Sequence, residues 1–339
     1  MARIRGDTGM RHCVTLGQCL PLRWGFEMGV RNRVVRLAVL MASAAVLGFA
    51  FAPAGAAAPV LSAVGAPAGV NDMSCRPSAA HPEPVVLVHG SGTDVERSFG
   101  VLGPAVAQAG YCVFAADIGK SPALADAASG KTNLPGLGAI GAALNGRTIY
   151  GVADIPAMAR DLAKVVQSAL DTTGAQRVAL VGHSTGGTII RQYLRTNGAA
   201  SVSAVVTLGS PYRGSTWAGL RDAYPDLASL GLSNAQIAQQ VFGAPGQQQL
   251  PGSPFLTTLN AGGETVPGVR YTAIASRTDE VITPNDTALL SAAEGADRNI
   301  WIQDGCPTDT ATHSSLLVEP RSLALVLDAL GGEGRNLPC

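Results

Sequence analysis

Short runs of apolar residues alternate along most of the chain with segments whose apolar positions recur every three or four residues. The apolar runs predict β-strands at residues 85–88, 111–116, 177–181, 202–208, 269–275 and 299–302. The three- and four-residue spacing predicts helices at residues 98–109, 155–170, 185–194 and 322–330. Several strands are apolar at every position and helices lie between them. This pattern is typical of an α/β fold with a mostly parallel sheet that helices cover on both faces.

Two long segments interrupt this alternation. Residues 119–152 are rich in glycine and alanine, and residues 227–263 contain no charged residue. Long irregular segments inside a compact domain usually have a function. In the second segment, Ser233 and Gln236 have the spacing of a capping box, which predicts a helix that starts at Ser233.

The first part of the chain differs from the rest in both charge and composition. An uncharged stretch at residues 37–51 follows three arginines and precedes a run of small residues that ends at Ala58. This order predicts a secretory signal peptide that is cleaved between residues 56 and 58, and hence a secreted, extracellular protein. An uncleaved membrane anchor is the alternative, and Met28 provides a second possible start of the chain.

We therefore expect three parts in the chain. Residues 1–58 are an N-terminal extension plus the signal peptide, residues 59–83 are a leader of the mature chain, and residues 84–339 are one α/β domain. Cleavage of the signal leaves no stable membrane insertion. The whole chain has 24 basic and 24 acidic residues and no basic run, which argues against nucleic-acid binding. No feature of the sequence sets an oligomeric state.

Four cysteines follow the predicted signal peptide: Cys75, Cys112, Cys306 and Cys339. In an exported protein an even number favours two disulfides, for which three connectivities are possible. We expect the pairs that are neighbours in the sequence, Cys75–Cys112 and Cys306–Cys339, with free buried thiols as the alternative. No C-x-x-C pair is present, so we expect no zinc site and no other metal.

A G-x-S-x-G pentapeptide at residues 182–186 is the motif with the clearest chemistry. A predicted strand runs directly into it and a predicted helix runs directly out. This strand–turn–helix setting exposes the hydroxyl of Ser184 at the carboxyl edge of the sheet, where it can act as a nucleophile. A glycine-rich phosphate loop is the alternative, but no lysine follows the glycines.

A serine nucleophile needs a base to take its proton and an acid to orient that base. Of five histidines, only His313 lies in a late loop, between the last predicted strand and the last helix, so His313 is the expected base. Asp279 follows the strand at 269–275 and is the expected acid. Its rivals are Glu280, Asp286, Asp304 and Asp309.

Two backbone N–H groups are needed to stabilise the oxyanion of the transition state. Thr185, directly after the nucleophile, supplies the first. Ser91, in the loop after the first strand, is the expected second donor, and its hydroxyl or that of Thr93 would add a hydrogen bond. The alternative is that this loop is only a turn.

Taken together, these pieces resemble the class 2 family of secreted bacterial triacylglycerol lipases, in the α/β-hydrolase superfamily. The resemblance rests on residues 85–92 (VVLVHGSG), 178–187 (VALVGHSTGG), 208–215 (LGSPYRGS), 277–284 (RTDEVITP) and 303–313 (QDGCPTDTATH). It implies an α/β-hydrolase fold and hydrolysis of carboxylic esters, often of lipids, without a cofactor. It also implies that Ser184, Asp279 and His313 are the nucleophile, acid and base, and that Ser91 and Thr185 are the oxyanion donors.

The sequence thus predicts a serine lipase or esterase that forms an acyl-enzyme with a lipid or other ester. We expect residues 227–263 to form an apolar flap over the active site, with Ile237, Val241 and Phe242 in contact with substrate. Alternatively, these residues extend the core. For the whole protein, the alternatives are a polyester or short-chain esterase, a transacylase, and a non-catalytic binding protein on the same fold.

Overall fold

Six parallel strands form the central sheet in the part of the chain that the computed structural model describes, residues 61–62, 65–120, 149–331 and 337–339. In chain order they are β1 Val85–Val88, β2 Val113–Ala115, β3 Val178–His183, β4 Val202–Leu208, β5 Arg270–Ala275 and β6 Arg298–Trp301. Their order across the sheet is β2-β1-β3-β4-β5-β6, and every neighbouring pair is parallel. The predicted parallel α/β fold is confirmed, and each observed strand overlaps a predicted one.

Ten α-helices accompany the sheet within the described ranges. They are α1 Val95–Phe99, α2 Leu102–Gln108, α3 Ile155–Thr173, α4 Thr185–Asn197, α5 Leu220–Ala223, α6 Pro225–Ser229, α7 Asn234–Phe242, α8 Ala244–Gln248, α9 Pro254–Asn260 and α10 Pro320–Ala329. The single helix predicted at 98–109 is therefore two helices, and the first begins early because the side chain of Asp94 caps it at the N–H of Arg97.

Alternate residues of each strand point to opposite faces of the sheet, and both faces are buried. In β1, Val86 and Val88 pack into one apolar cluster with residues of α3 and α4. Val85 and Leu87 pack into a second cluster on the other face, with residues of α1, α2 and α10. Burial on both faces explains why β1 and β2 are apolar at every position. The parallel pairing brings the carboxyl ends of β3, β4 and β5 to one edge of the sheet.

The segment predicted as a leader is part of the domain where the structure describes it. Val70 is buried and forms a β-bridge with Val113, the first residue of β2. The side-chain amide of Asn71 donates to the carbonyl of Ala115 and its side-chain oxygen accepts from the N–H of that residue. The described part of residues 61–83 therefore packs against the sheet, and the division of the chain into three parts stays a prediction.

Both predicted disulfides are present. Cys75–Cys112 ties the segment before β1 to the start of β2, and Cys306–Cys339 ties the loop after β6 to the end of the chain. The predicted signal peptide, within residues 1–58, and residues 121–148 of the glycine- and alanine-rich segment lie outside the described residues. Within the described ranges, no helix is both long enough and apolar enough to cross a membrane.

The charge-free segment 227–263 is largely helical and contributes to α6, α7, α8 and α9. The helix predicted from Ser233 is α7. Its capping box is formed, because the N–H of Gln236 donates to Oγ of Ser233 and the N–H of Ser233 donates to Oε1 of Gln236.

Candidate active site

Ser184 lies at the tight turn between β3 and α4, with a backbone conformation that L-residues rarely adopt (φ 55°, ψ −128°). The turn requires glycine at residues 182 and 186, because the neighbouring backbone lies too close to leave room for a side chain. A Cβ atom on Gly186 would collide with the carbonyl of Val88, and one on Gly182 would lie 2.7 Å from the backbone nitrogen of Gly187. The strained turn holds Ser184 at the N-terminus of α4, where the helix dipole favours developing negative charge.

Asp279 and His313 lie beside each other on loops that follow β5 and β6. His313 Nδ1 lies 2.7 Å from Oδ2 of Asp279, and both side chains are almost completely buried. The other carboxylate oxygen, Oδ1, accepts hydrogen bonds from the N–H groups of Val281 and Ile282, each at 2.8 Å. These hydrogen bonds fix the orientation of the carboxylate. Because Nδ1 of His313 is bonded to Asp279, Nε2 is the ring nitrogen that could exchange a proton with another group.

Ser184 and His313 line the same cavity, which has a volume of about 360 Å³. Its apolar wall comes from Leu220, Tyr224, Phe242, Val281, Leu317 and Val318. Its polar lining includes Ser91, Thr93, Arg97 and Glu280. A cavity of this kind suits a ligand with an apolar body and one polar group that lies near Ser184.

The rival acidic residues have other partners. Glu280 lines the cavity, and its Oε2 accepts from the backbone N–H of His313 at 3.1 Å. Asp286 pairs with Arg213, and Asp304 pairs with Arg277. Oδ1 of Asp309 accepts from the N–H of Ala311. Of the five candidates, Asp279 is the one whose carboxylate bonds to the imidazole of His313.

The two expected oxyanion donors lie next to Ser184. Thr185 is the first residue of α4, and Ser91 lines the cavity from the loop after β1. The two hydroxyls are 3.0 Å apart. A Cβ atom on Gly90 would lie 2.9 Å from the Cβ of Ser184, so only glycine lets this loop approach Ser184 so closely.

His89 fixes the direction of that loop. Its Nδ1 lies 2.8 Å from the carbonyl oxygen of Gly90, and its Nε2 accepts from the N–H of Ile118 at 3.1 Å. The ring is therefore neutral, with its hydrogen on Nδ1. Burial, which disfavours the charged ring, lowers the pKa of His89.

The residues expected to contact substrate divide into two groups. Phe242 lines the cavity and lies against the indole of Trp217, with ring centroids 5.0 Å apart. Val241 is partly buried and packs against the core. Ile237 is fully buried among core residues and is not part of the cavity wall. The apolar side of α7 packs against neighbouring helices, so Ile237 faces the core. The expectation that Ile237 contacts the substrate is therefore corrected.

His183 is a residue of the site to which sequence reasoning gave no role. Its Nε2 lies 3.0 Å from the carbonyl oxygen of His313, and the two ring centroids are 4.7 Å apart. The Nε2–H group thus donates to the backbone of the loop that carries His313. The only sequence signal was its place at the end of an apolar strand, since its partner lies 130 residues away.

Burial, followed by the nearby His313 ring, lowers the pKa of His183 to about 3. The unfolded chain binds a proton at this ring below about pH 6.5, whereas the folded chain does not until about pH 3. The free energy of unfolding should therefore fall as the pH is lowered through this window, by up to about 1.4 kcal/mol per pH unit from this group.

The variant His183→Gln keeps a side-chain N–H donor but does not titrate. Between pH 7 and pH 5 it should lose about 2 kcal/mol less unfolding free energy than the wild type. Urea denaturation of both proteins at the two pH values measures this difference. Equal losses in the two proteins would show that His183 titrates normally.

Comparisons with known proteins agree with this fold. The sequence model of the alpha/beta hydrolase fold matches residues 83–230, and that of the lipase (class 2) family matches residues 157–312. The parallel sheet and the turn at Ser184 define an α/β-hydrolase fold. The two models together match residues 83–312 and support a lipase of the α/β-hydrolase superfamily.

Several solved structures are similar to the chain at low identity. Lipase B of Aspergillus fumigatus is 19% identical with a TM-score of 0.50, and the match covers 74% of this chain and 53% of the fungal chain. The protein thus spans about half the length of that lipase. Lipase BlEst2 of Bacillus licheniformis, in its mature form, is 17% identical with a TM-score of 0.47, and 75% and 94% of the two chains are covered. Esterase RhEst1 of Rhodococcus sp. ECU1013 is 16% identical with a TM-score of 0.43, and 76% and 94% are covered.

Proposed function

We propose that the protein is a secreted serine carboxylic-ester hydrolase of the lipase type, which works through an acyl-enzyme on Ser184. One observation carries the proposal: Ser184 and His313 line the same cavity, and Asp279 is bonded to Nδ1 of His313. The family match supports ester hydrolysis as the class of reaction.

In the proposed mechanism, Oγ of Ser184 attacks the ester carbonyl while Nε2 of His313 takes the hydroxyl proton. Asp279 stabilises the imidazolium that forms and does not itself take the proton. The N–H groups of Ser91 and Thr185 donate to the oxyanion. The alcohol then leaves with the proton from His313. Water, activated by the same imidazole, attacks the acyl-enzyme and releases the acid.

The apolar wall of the cavity supports a substrate with an acyl chain, which favours a lipase over a short-chain esterase. The short-chain esterase and the non-catalytic binding protein are alternatives that one experiment separates from the lipase. It measures hydrolysis of p-nitrophenyl esters from acetate to palmitate, together with labelling by a fluorophosphonate. Long-chain preference supports the lipase, and acetate preference supports the esterase. The absence of both ester hydrolysis and labelling of Ser184 would overturn the proposal.

Secretion is part of the proposal because the chain carries two disulfides, which form and persist in oxidising compartments. Cleavage of the predicted signal would remove residues 1–58 or most of them. N-terminal sequencing of the protein from the culture medium tests this. A chain that begins before residue 37 would contradict cleavage.

Phe242→Ala should lower kcat/KM for long-chain esters about tenfold or more, while butyrate esters change far less. The reason is that Phe242 forms part of the apolar cavity wall, and a buried aromatic contact contributes on the order of 1–3 kcal/mol to discrimination. The ester series above, repeated on the variant, measures the effect.

Ile237→Ala, on the same helix, is the matched control. Since Ile237 is buried in the core, this change should lower the free energy of unfolding by about 2–5 kcal/mol and leave the chain-length preference of the folded protein as it was. If Phe242→Ala reduced all esters equally and Ile237→Ala altered the preference, the assignment of the cavity wall would be wrong.

A further inference from the structure

A buried chain of hydrogen bonds connects the charge-free segment 227–263 to Ser91, in the loop after β1. Gln249 is completely buried, and its Nε2 donates to the hydroxyl of Thr185 at 2.9 Å and to the carbonyl of Pro245 at 3.3 Å. Its Oε1 accepts from the hydroxyl of Thr188 at 2.8 Å. The Thr185 hydroxyl in turn lies 3.0 Å from the hydroxyl of Ser91. The chain ends at the cavity, which Ser91 lines.

The direction of these hydrogen bonds follows from their partners. A carbonyl oxygen only accepts, so the contact with Pro245 fixes Nε2 as the group on that side of the Gln249 amide. Thr185 then accepts from Gln249. Thr185 is almost completely buried, so its own hydrogen is best satisfied by donating to Ser91. The hydroxyl hydrogen of Ser91 is thereby directed away from Thr185, on the side of the cavity.

Gln249 is itself held by its main chain. Its carbonyl accepts from the N–H of Ser215 at 2.9 Å, in the loop after β4, and its N–H donates to the carbonyl of Pro245 at 3.0 Å. Its side-chain amide is hydrogen-bonded to the hydroxyls of Thr185 and Thr188, which lie one turn apart on α4. A buried polar group with all its hydrogen bonds made is rigid, and it fixes the groups that it touches.

We propose that Gln249 is a positioning residue that aims the hydroxyl of Ser91 at the oxyanion, through the hydroxyl of Thr185. Ser91 then donates twice, with its N–H and its O–H, so the oxyanion receives three hydrogen bonds. No proton is transferred along this chain; each hydroxyl only orients and polarises the next. The inference rests on the proposed function, because the oxyanion forms only if Ser184 attacks an ester.

The sharpest test compares the two threonines of α4 that bond to Gln249. Thr185→Val removes the hydroxyl that links Gln249 to Ser91 and keeps the backbone N–H, so kcat for a p-nitrophenyl ester should fall about tenfold with little change in KM. Thr188→Val is the matched control. Thr188 is equally buried and also bonds to Gln249, but it lies off the path to Ser91. Because this change removes one hydrogen bond to Gln249 but leaves the link from Gln249 through Thr185 to Ser91, its kcat should fall clearly less than that of Thr185→Val, even if the melting temperature falls as much.

Four further variants make the test independent of folding defects. Ser91→Ala should lower kcat by about 10²-fold, as expected for loss of one oxyanion donor. Adding Thr185→Val or Gln249→Met to Ser91→Ala should lower kcat no further, because without the Ser91 hydroxyl the hydrogen bonds from Gln249 no longer reach the oxyanion. Thr185→Ser, which keeps a hydroxyl, should lie closer to the wild type than Thr185→Val does.

The proposal is overturned if Thr185→Val and Thr188→Val lower kcat and melting temperature in parallel, since the chain would then be structural. The proposal is also overturned if the fold losses of kcat caused by Ser91→Ala and by Thr185→Val multiply in the double variant. Failure of the proposed function gives a different result. In that case the wild type neither hydrolyses esters nor is labelled at Ser184 by a fluorophosphonate, before any variant is compared.

Discussion

Replacing Ser184 with alanine should reduce kcat/KM for any ester by at least about 10³-fold, with the fold intact. The acyl-enzyme cannot form without Oγ, so only the oxyanion donors and substrate binding remain to accelerate direct attack by water. The variant should also lose labelling by a fluorophosphonate. Alanine adds no atom at the crowded turn, where the Cβ of residue 184 faces Gly90. The melting temperature should therefore change little.

Ser210→Ala is the matched control for this result. Ser210 is also a buried serine beside α4, close to Gly187, but it does not line the cavity. The same chemical change there should leave kcat/KM within about twofold of the wild type. Near-normal activity of Ser184→Ala would remove the central claim, whatever the other variants showed.

The residues of the candidate site that sequence reasoning located are those that the fold fixes through chain order. In a parallel sheet the loops after β3, β5 and β6 all emerge at one edge, so Ser184, Asp279 and His313 are brought together by topology alone. Local spacing was likewise sufficient for the strands, for α7 and for its cap, because these depend on near neighbours.

The residues that were missed or misplaced depend on contacts between distant parts of the chain. Ile237 and Phe242 are both apolar on one short helix, and only packing decides that the first enters the core while the second faces the cavity. Gln249 is a polar residue in a segment without charges, and its partners Thr185 and Thr188 lie more than 60 residues before it. No periodicity or motif encodes such a pairing.

Asp279→Asn should lower kcat by about 10³- to 10⁴-fold, although it exchanges one oxygen for a nitrogen of similar size. The N–H groups of Val281 and Ile282 both donate to Oδ1, so they should retain the amide oxygen at that position. The amide nitrogen then faces Nδ1 of His313, where Oδ2 was. A donor at this place turns Nδ1 into an acceptor and moves the ring hydrogen to Nε2, the nitrogen that must take the proton of Ser184.

Steady-state kinetics on a p-nitrophenyl ester measures this loss, which should appear in kcat rather than in KM because Asp279 lies behind the imidazole and away from the substrate. Glu280→Gln is the control that tests the assignment of the acid. Its amide oxygen can still accept from the backbone N–H of His313, so the tautomer of the ring is not disturbed and the loss of kcat should stay below about tenfold. If Glu280→Gln lost more activity than Asp279→Asn, the role of the acid would pass from Asp279 to its neighbour.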